Sequence, residues 1–156
     1  MLIKIIRNLT LEEIDARIKR FEKEFGMSFE KFEEHFLKHK PDAKLTTVYF
    51  EWVELVNSYK GYIEEGQLDY TVEEIKDLKP EQVALLAPKR IELLYQLAAL
   101  RVDSINDLAT KIRRNVKNVY QDLQVLRKFG FVRMNRRKGR SLIPETLVKE
   151  VTFLIR

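Results

Sequence analysis

Between Ser104 and Gly130 the sequence reads SINDLATKIRRNVKNVYQDLQVLRKFG: two stretches of helical periodicity parted by three polar residues. Ile105, Leu108, Ala109 and Ile112 recur at steps of three and four, which puts them on one face of a short helix capped by Asp103 or Ser104. Arg113, Arg114 and Asn115 interrupt it, and Asn115 is a good cap for a following helix with Val116, Val119, Leu123 and Leu126 inward, stopping at Gly130. Pro88 opens an earlier helix whose inner face reads Ile91, Leu94, Tyr95 and Ala98. Ala109 is small where the next helix must cross closely. Two short helices around a polar turn form a helix-turn-helix pattern, which alone is common in helical bundles. The continuation sharpens it: FVRM reads as a strand, NRRKGR as a tight turn and SLIP as the returning strand. Three helices and a hairpin predict a winged helix-turn-helix over residues 88–156.

Charge points the same way. The net charge is +5, yet residues 1–110 hold 16 basic and 21 acidic groups, whereas residues 111–140 hold 11 basic groups and one acid, Asp122. Solubility alone does not concentrate charge so. A polyanion rewards it, because each neutralised phosphate releases condensed counterions. The block holds Arg113 and Arg114 in the turn, then Arg133, Arg136, Arg137, Lys138 and Arg140 along the hairpin, where a cationic loop can follow phosphates or enter the minor groove. Opposite its apolar stripe the third helix carries Lys117, Asn118 and Gln121, with Tyr120 on a flank. Asn and Gln side chains pair with adenine edges and Lys with guanine. Arg127 and Lys128, at the far end of that helix, suit its dipole better.

The first half reads as helices. LIKII is a short strand; Thr10 with Glu13 makes a capping box, and Leu11, Ile14, Ile18, Phe21 and Phe25 form one stripe ending at Gly26. Ser28 caps a second helix with Phe29, Phe32 and Phe36 inward. The longest helix runs from about Lys44 to Glu65 and keeps a seven-residue repeat through Leu45, Val48, Tyr49, Trp52, Leu55, Val56, Tyr59, Tyr62 and Ile63. Either the first two helices or the same helix of a second subunit must cover that aromatic stripe, which makes it the candidate dimer or partner interface. Thr71 with Glu74 makes another capping box and predicts a helix to Leu78, and PEQVALL a further turn. The domain reading is therefore a helical dimerisation or partner-binding region over 1–65, connector helices over 66–87 and the winged helix over 88–156. The fold class is mostly α with a small β component.

The stretch from LAPKRIELLYQLAAL through SINDLATKIRRNVKNVYQDLQVLRKFGFV resembles archaeal and bacterial winged-helix proteins that serve as transcriptional regulators or antitoxins. More broadly it is similar to the MarR/ArsR-type winged helix; RRNVKNVYQDLQVL is its most specific piece, and the resemblance covers residues 86–156. It implies DNA binding by the third helix, carried onto Lys117, Asn118, Tyr120 and Gln121, and by the wing, carried onto Arg136, Arg137, Lys138 and Arg140. Tyr120 and Gln121 depart from the pattern, where His and Arg are expected. The resemblance also implies a strand after the wing. EVTFLIR alternates accordingly, with Val151, Phe153 and Ile155 on one side, and can pair with LIKII of the same or another subunit; a helix through PETLVKEVTFLIR competes. FGMSFEKFEEHF and YFEWVELV are similar to the helical arms of archaeal antitoxin-like proteins.

Other chemistries find little support. The chain has no cysteine, its five glycines form no phosphate loop, and Ser28, Ser58, Ser104 and Ser141 have no His/Asp constellation. His35 and His39 share a helix face without a third ligand, so no metal or other cofactor is expected. No apolar run approaches a membrane span, and charge interrupts MLIKIIRNLT where a signal peptide needs an apolar core. The expectation is a cytoplasmic, non-enzymatic protein that binds double-stranded DNA as a homodimer. The alternative is an antitoxin-like module that grips a small partner protein, a toxin, with its N-terminal aromatics and regulates its own operon through the winged helix.

Overall fold

The computed structural model describes residues 1–66, 68–136 and 141–156. Of these, 57% are helical and 21% lie in strands, so the chain is mostly α with a small β component. The order is β1 (Leu2–Asn8), α1 (Leu11–Phe25), α2 (Phe29–Lys38), α3 (Ala43–Glu65), β2 (Thr71–Asp77), α4 (Pro80–Ala84), α5 (Pro88–Ala99), α6 (Ile105–Ile112), α7 (Val116–Lys128), β3 (Val132–Arg136), β4 (Leu142–Thr146) and β5 (Val148–Leu154). Among the described residues no helix is long and apolar enough to cross a membrane. The chain forms two compact units: Asn8–Thr71, and Met1–Arg7 together with Val72–Arg156. The division thus differs from the expected boundaries at 65 and 87, because β1 and β2 join a sheet with the C-terminal strand.

The unit Asn8–Thr71 is three helices closed on an aromatic core. Thr10 and Glu13 form the expected reciprocal box, Glu13 N–H donating to Thr10 Oγ1 and Thr10 N–H to Glu13 Oε1, each at 3.2 Å. Gly26, at φ +65°, ends α1 in the left-handed region that glycine adopts without a Cβ penalty. Ser28 caps α2, and Asp42 caps α3 by accepting Leu45 N–H at 2.8 Å. Trp52 is fully buried, with its ring centroid 5.3 Å from Phe21, 5.6 Å from Phe29 and 4.9 Å from Phe32. Tyr49 stacks on Phe36 at 4.2 Å and donates its hydroxyl to Glu33 at 2.8 Å. The stripe offered for a dimer or partner is therefore largely consumed within its own chain. Trp52 and Leu55 are buried there, and Leu45, Val48, Tyr49, Val56, Tyr59 and Tyr62 are half-buried. What α2 and α3 leave exposed is Leu37, Phe50 and Ile63.

The second unit carries a three-stranded sheet, order β2-β1-β5, and the two-stranded hairpin β3-β4. β5 runs antiparallel to β1 of the same chain, with Ile3 opposite Phe153 and Ile5 opposite Val151, so the strand reading of the C-terminal segment holds. The core gathers Ile3 and Ile5 from β1, Leu93 and Leu97 from α5, Leu108 and Ala109 from α6, Val119, Leu123 and Leu126 from α7, and Phe131 and Val132 at the start of the hairpin.

Three expectations need correction. Thr71–Asp77 is a strand, not a capped helix: Glu74 does not return to Thr71 but takes the Arg7 guanidinium at 2.9 Å, and pairing with β1 overrides the local capping signal. Residues 66–87 are accordingly not all helical, although PEQVA does form α4. The inner face of α5 is Leu93 and Leu97, with Leu94 half-buried; Ile91, Tyr95 and Ala98 stay exposed, one step round the helix from the expected stripe. Val116 is not part of the α7 stripe and is 42% exposed.

Replacing Trp52 with Ala should lower stability by about 3–5 kcal/mol, whereas Phe50→Ala on the opposite side of α3 should change it by less than about 0.5 kcal/mol. Urea melts followed by far-UV circular dichroism test this; equal effects would mean that α3 packs the other way round.

Candidate nucleic-acid interface

The site is assembled by the turn between α6 and α7. Ser104 caps α6 by accepting Asp107 N–H at 2.9 Å, and Asp107 Oδ2 accepts Asp103 N–H at 2.9 Å. That bond, together with Lys111 Nζ at 3.1 Å, holds the Asp107 carboxyl below its ordinary range. α6 then ends on Arg113 in the left-handed region at φ +57°, the one non-glycine there among the described residues. Arg114 N–H closes the turn on Ala109 C=O at 3.0 Å. Asn115 caps α7, its Oδ1 accepting Lys117 N–H at 2.9 Å and Asn118 N–H at 3.4 Å. The α7 stripe of Val119, Leu123 and Leu126 is fully buried, which fixes which side of the helix faces out.

That outer side carries Lys117, Asn118, Tyr120 and Gln121, all exposed, with no acid in the first turn of the helix. Arg113 is exposed beside them. The structure thus brings together five of the expected site residues.

Arg114 plays another part. It donates to Asp122 Oδ2 at 2.6 Å, while Arg90 Nε donates to Asp122 Oδ1 at 2.9 Å and Arg90 Nη1 to Leu85 C=O at 2.9 Å. Asp122, the only acid of the basic block, is therefore a shared anchor that ties α5, the turn and α7 together through partly buried groups. Arg114 thus reaches the surface with one of its guanidinium donors on Asp122. Arg133 lies half-buried in β3, directly opposite Glu145. Asn135 and Arg136, expected in the hairpin tip, belong to β3, and Arg136 is exposed at its end. Arg137, Lys138 and Arg140 lie outside the described residues.

Sequence reasoning missed Lys89. It lines a recess with Arg90, Arg113, Arg114, Asn118, Gln121 and Asp122, between the starts of α5 and α7. A signal was present: Lys89 and Arg90 put two cations in the first turn of α5, where the helix dipole disfavours them. One of them is explained by Asp122 and the other is left facing the recess. Chemically, the surface offers amide and hydroxyl groups flanked by cations, the donor and acceptor set that meets phosphates and base edges.

Asp122→Ala should destabilise the chain by about 2–3 kcal/mol in denaturant melts, because it strands two partly buried guanidinium groups. Arg113→Gly should do the reverse, raising stability by about 0.5–1 kcal/mol through relief of the left-handed backbone, while removing one cation from the surface. A loss of stability in Arg113→Gly would show that the arginine side chain holds the turn.

Residues 85–153 match the model of the HVO_A0114 family, a span that takes in α5, α6, α7, the hairpin and most of β5 and leaves α1, α2 and α3 outside it. Comparison with curated proteins and with solved structures gave no match.

Proposed function

We propose that the chain is a sequence-specific, double-stranded-DNA-binding transcriptional regulator of the winged helix-turn-helix type, acting as a cytoplasmic homodimer without enzymatic activity or cofactor. One observation carries the reading: the exposed side of α7 collects Lys117, Asn118, Tyr120 and Gln121 next to Arg113 and Lys89, and a hairpin whose sequence is densely basic follows directly. α7 is the helix that enters the major groove, and Asn118 and Gln121 read base edges there. Arg113, Lys89 and Lys117 anchor phosphates at its start. Arg136, with Arg137, Lys138 and Arg140, forms the wing that follows the backbone or enters the minor groove. The resemblance to MarR/ArsR-type regulators read from the sequence of residues 86–156 points to the same assignment.

A second reading has its own support. Leu37, Phe50 and Ile63 are each exposed on the helical unit, and an antitoxin-like protein would use such apolar side chains to hold a small partner, a toxin, while the winged helix regulates the operon. Co-purification of the untagged chain with a second small protein favours this reading; its absence leaves the homodimeric regulator.

Duplex binding measured by fluorescence anisotropy across a salt series should weaken steeply, with a log–log slope of about −5 for roughly six phosphates. The Arg136/Arg137/Lys138 triple Ala variant should weaken all sequences alike and flatten that slope by about 2–3. Asn118→Ala or Gln121→Ala should instead change which sequences are preferred, by about 1–3 kcal/mol at one base pair. A salt-independent affinity, or a triple variant that binds as the parent does, would contradict the assignment.

A further inference from the structure

The sheet of the second unit is finished on one side and open on the other. Ile3 of β1 is fully buried, yet Phe153, directly opposite it on β5 and on the same face, is 50% exposed. Val151, opposite the buried Ile5, is only half-buried. Between β5 and α5 lies an apolar groove of about 360 Å³, lined by Ile91, Leu94, Tyr95 and Ala98 on the helix and by Val151 and Phe153 on the strand. These are the α5 residues whose periodicity promised an inner face; the groove is the core they lack. β5 is also an edge strand, since its one neighbour among the described strands is β1. The opposite edge, β2, is blunted by Glu73, Glu74, Lys76 and Asp77, as unpaired edges usually are. β5 instead ends in Phe153 and Leu154, and Ile155 just beyond it is 93% exposed.

We propose that a second copy of this chain covers this edge, β5 pairing antiparallel with its symmetry mate about a two-fold axis at Phe153. The proposal rests on the homodimer reading and names the surface that makes it. An open groove and an unpaired edge occur on the same element, and one partner strand meets both needs. Side-chain complementarity selects the register. With Phe153 on the axis, each half-buried Val151 faces the other copy's Ile155, one residue beyond β5, which sets these two and the exposed Phe153 in one ladder. On the other face each Glu150 comes opposite the other copy's Arg156, an attractive pair repeated twice by symmetry. Shifting the axis to Glu150 would set two carboxylates against each other and place Phe153 and Ile155 opposite Leu147 and Glu145, ahead of the partner's β5. The centred register thus joins the charges and the apolar groups together. The helical stripe of α3 is not needed for this association.

Sedimentation velocity of the full chain without DNA, over a concentration series, tests the proposal. The parent should sediment as a dimer, and Phe153→Asp should weaken association on the order of a hundredfold while leaving the far-UV spectrum unchanged. Arg156→Glu should weaken it on the order of tenfold, and Glu150→Arg combined with Arg156→Glu should recover most of that loss. A monomeric parent would overturn the proposal, as would a dimer that survives Phe153→Asp but separates on Phe50→Asp in α3. So would a charge-swapped double variant that is as weak as the single one. Because no DNA is present, these outcomes are independent of whether α7 binds a duplex.

Discussion

One carboxylate sets the attitude of the candidate binding helix. Asp122 stands alone among the eleven cations of residues 111–140, and it receives Arg90 from α5 and Arg114 from the turn. The arrangement is costly to build, because three charges leave most of their water, and it holds only when each is answered by a hydrogen bond. Its effect is geometric. The hydrophobic stripe of α7 fixes which side of the helix faces the core, but apolar contact is non-directional. The two guanidinium bonds supply the direction, and they leave Lys117, Asn118, Tyr120 and Gln121 on one exposed side.

The same economy accounts for the left-handed Arg113. A glycine would serve the chain reversal with less strain, and the cation stands at the mouth of the recess beside Lys89. Strain kept at a polar turn, a dipole-opposed lysine at the start of α5 and a shared acid behind them form one coherent surface. The first two depart from what stability alone favours, the third holds them in place, and all three fall within the recess between α5 and α7.

Much of this was legible in the sequence, and the failures have a common cause. Local signals that are completed locally were read correctly: the Thr10–Glu13 box, the Ser28 and Asn115 caps, the glycine stops and the stripe through Trp52. Signals whose outcome depends on a distant partner were not. Thr71 and Glu74 spell a capping box, but Arg7 and β1 compete for the same groups and win. Ile91, Tyr95 and Ala98 have the period of a buried face, yet nothing among the described residues buries them. The tie from Arg114 to Asp122, eight residues on and two turns up α7, has no signal in the sequence. Helical period says that a stripe exists; only the fold says what lies against it.

The unit Asn8–Thr71 closes on its own aromatic core, and the basic block of residues 111–140 belongs to the other unit. The most direct test of the central claim, that α7 and the hairpin form a surface for duplex DNA, is selection from a random duplex pool at near-physiological salt. The account predicts enrichment of a short, two-fold-related sequence whose half-sites lie about 10 base pairs, one helical turn, apart. A pool that stays random after repeated rounds would contradict it.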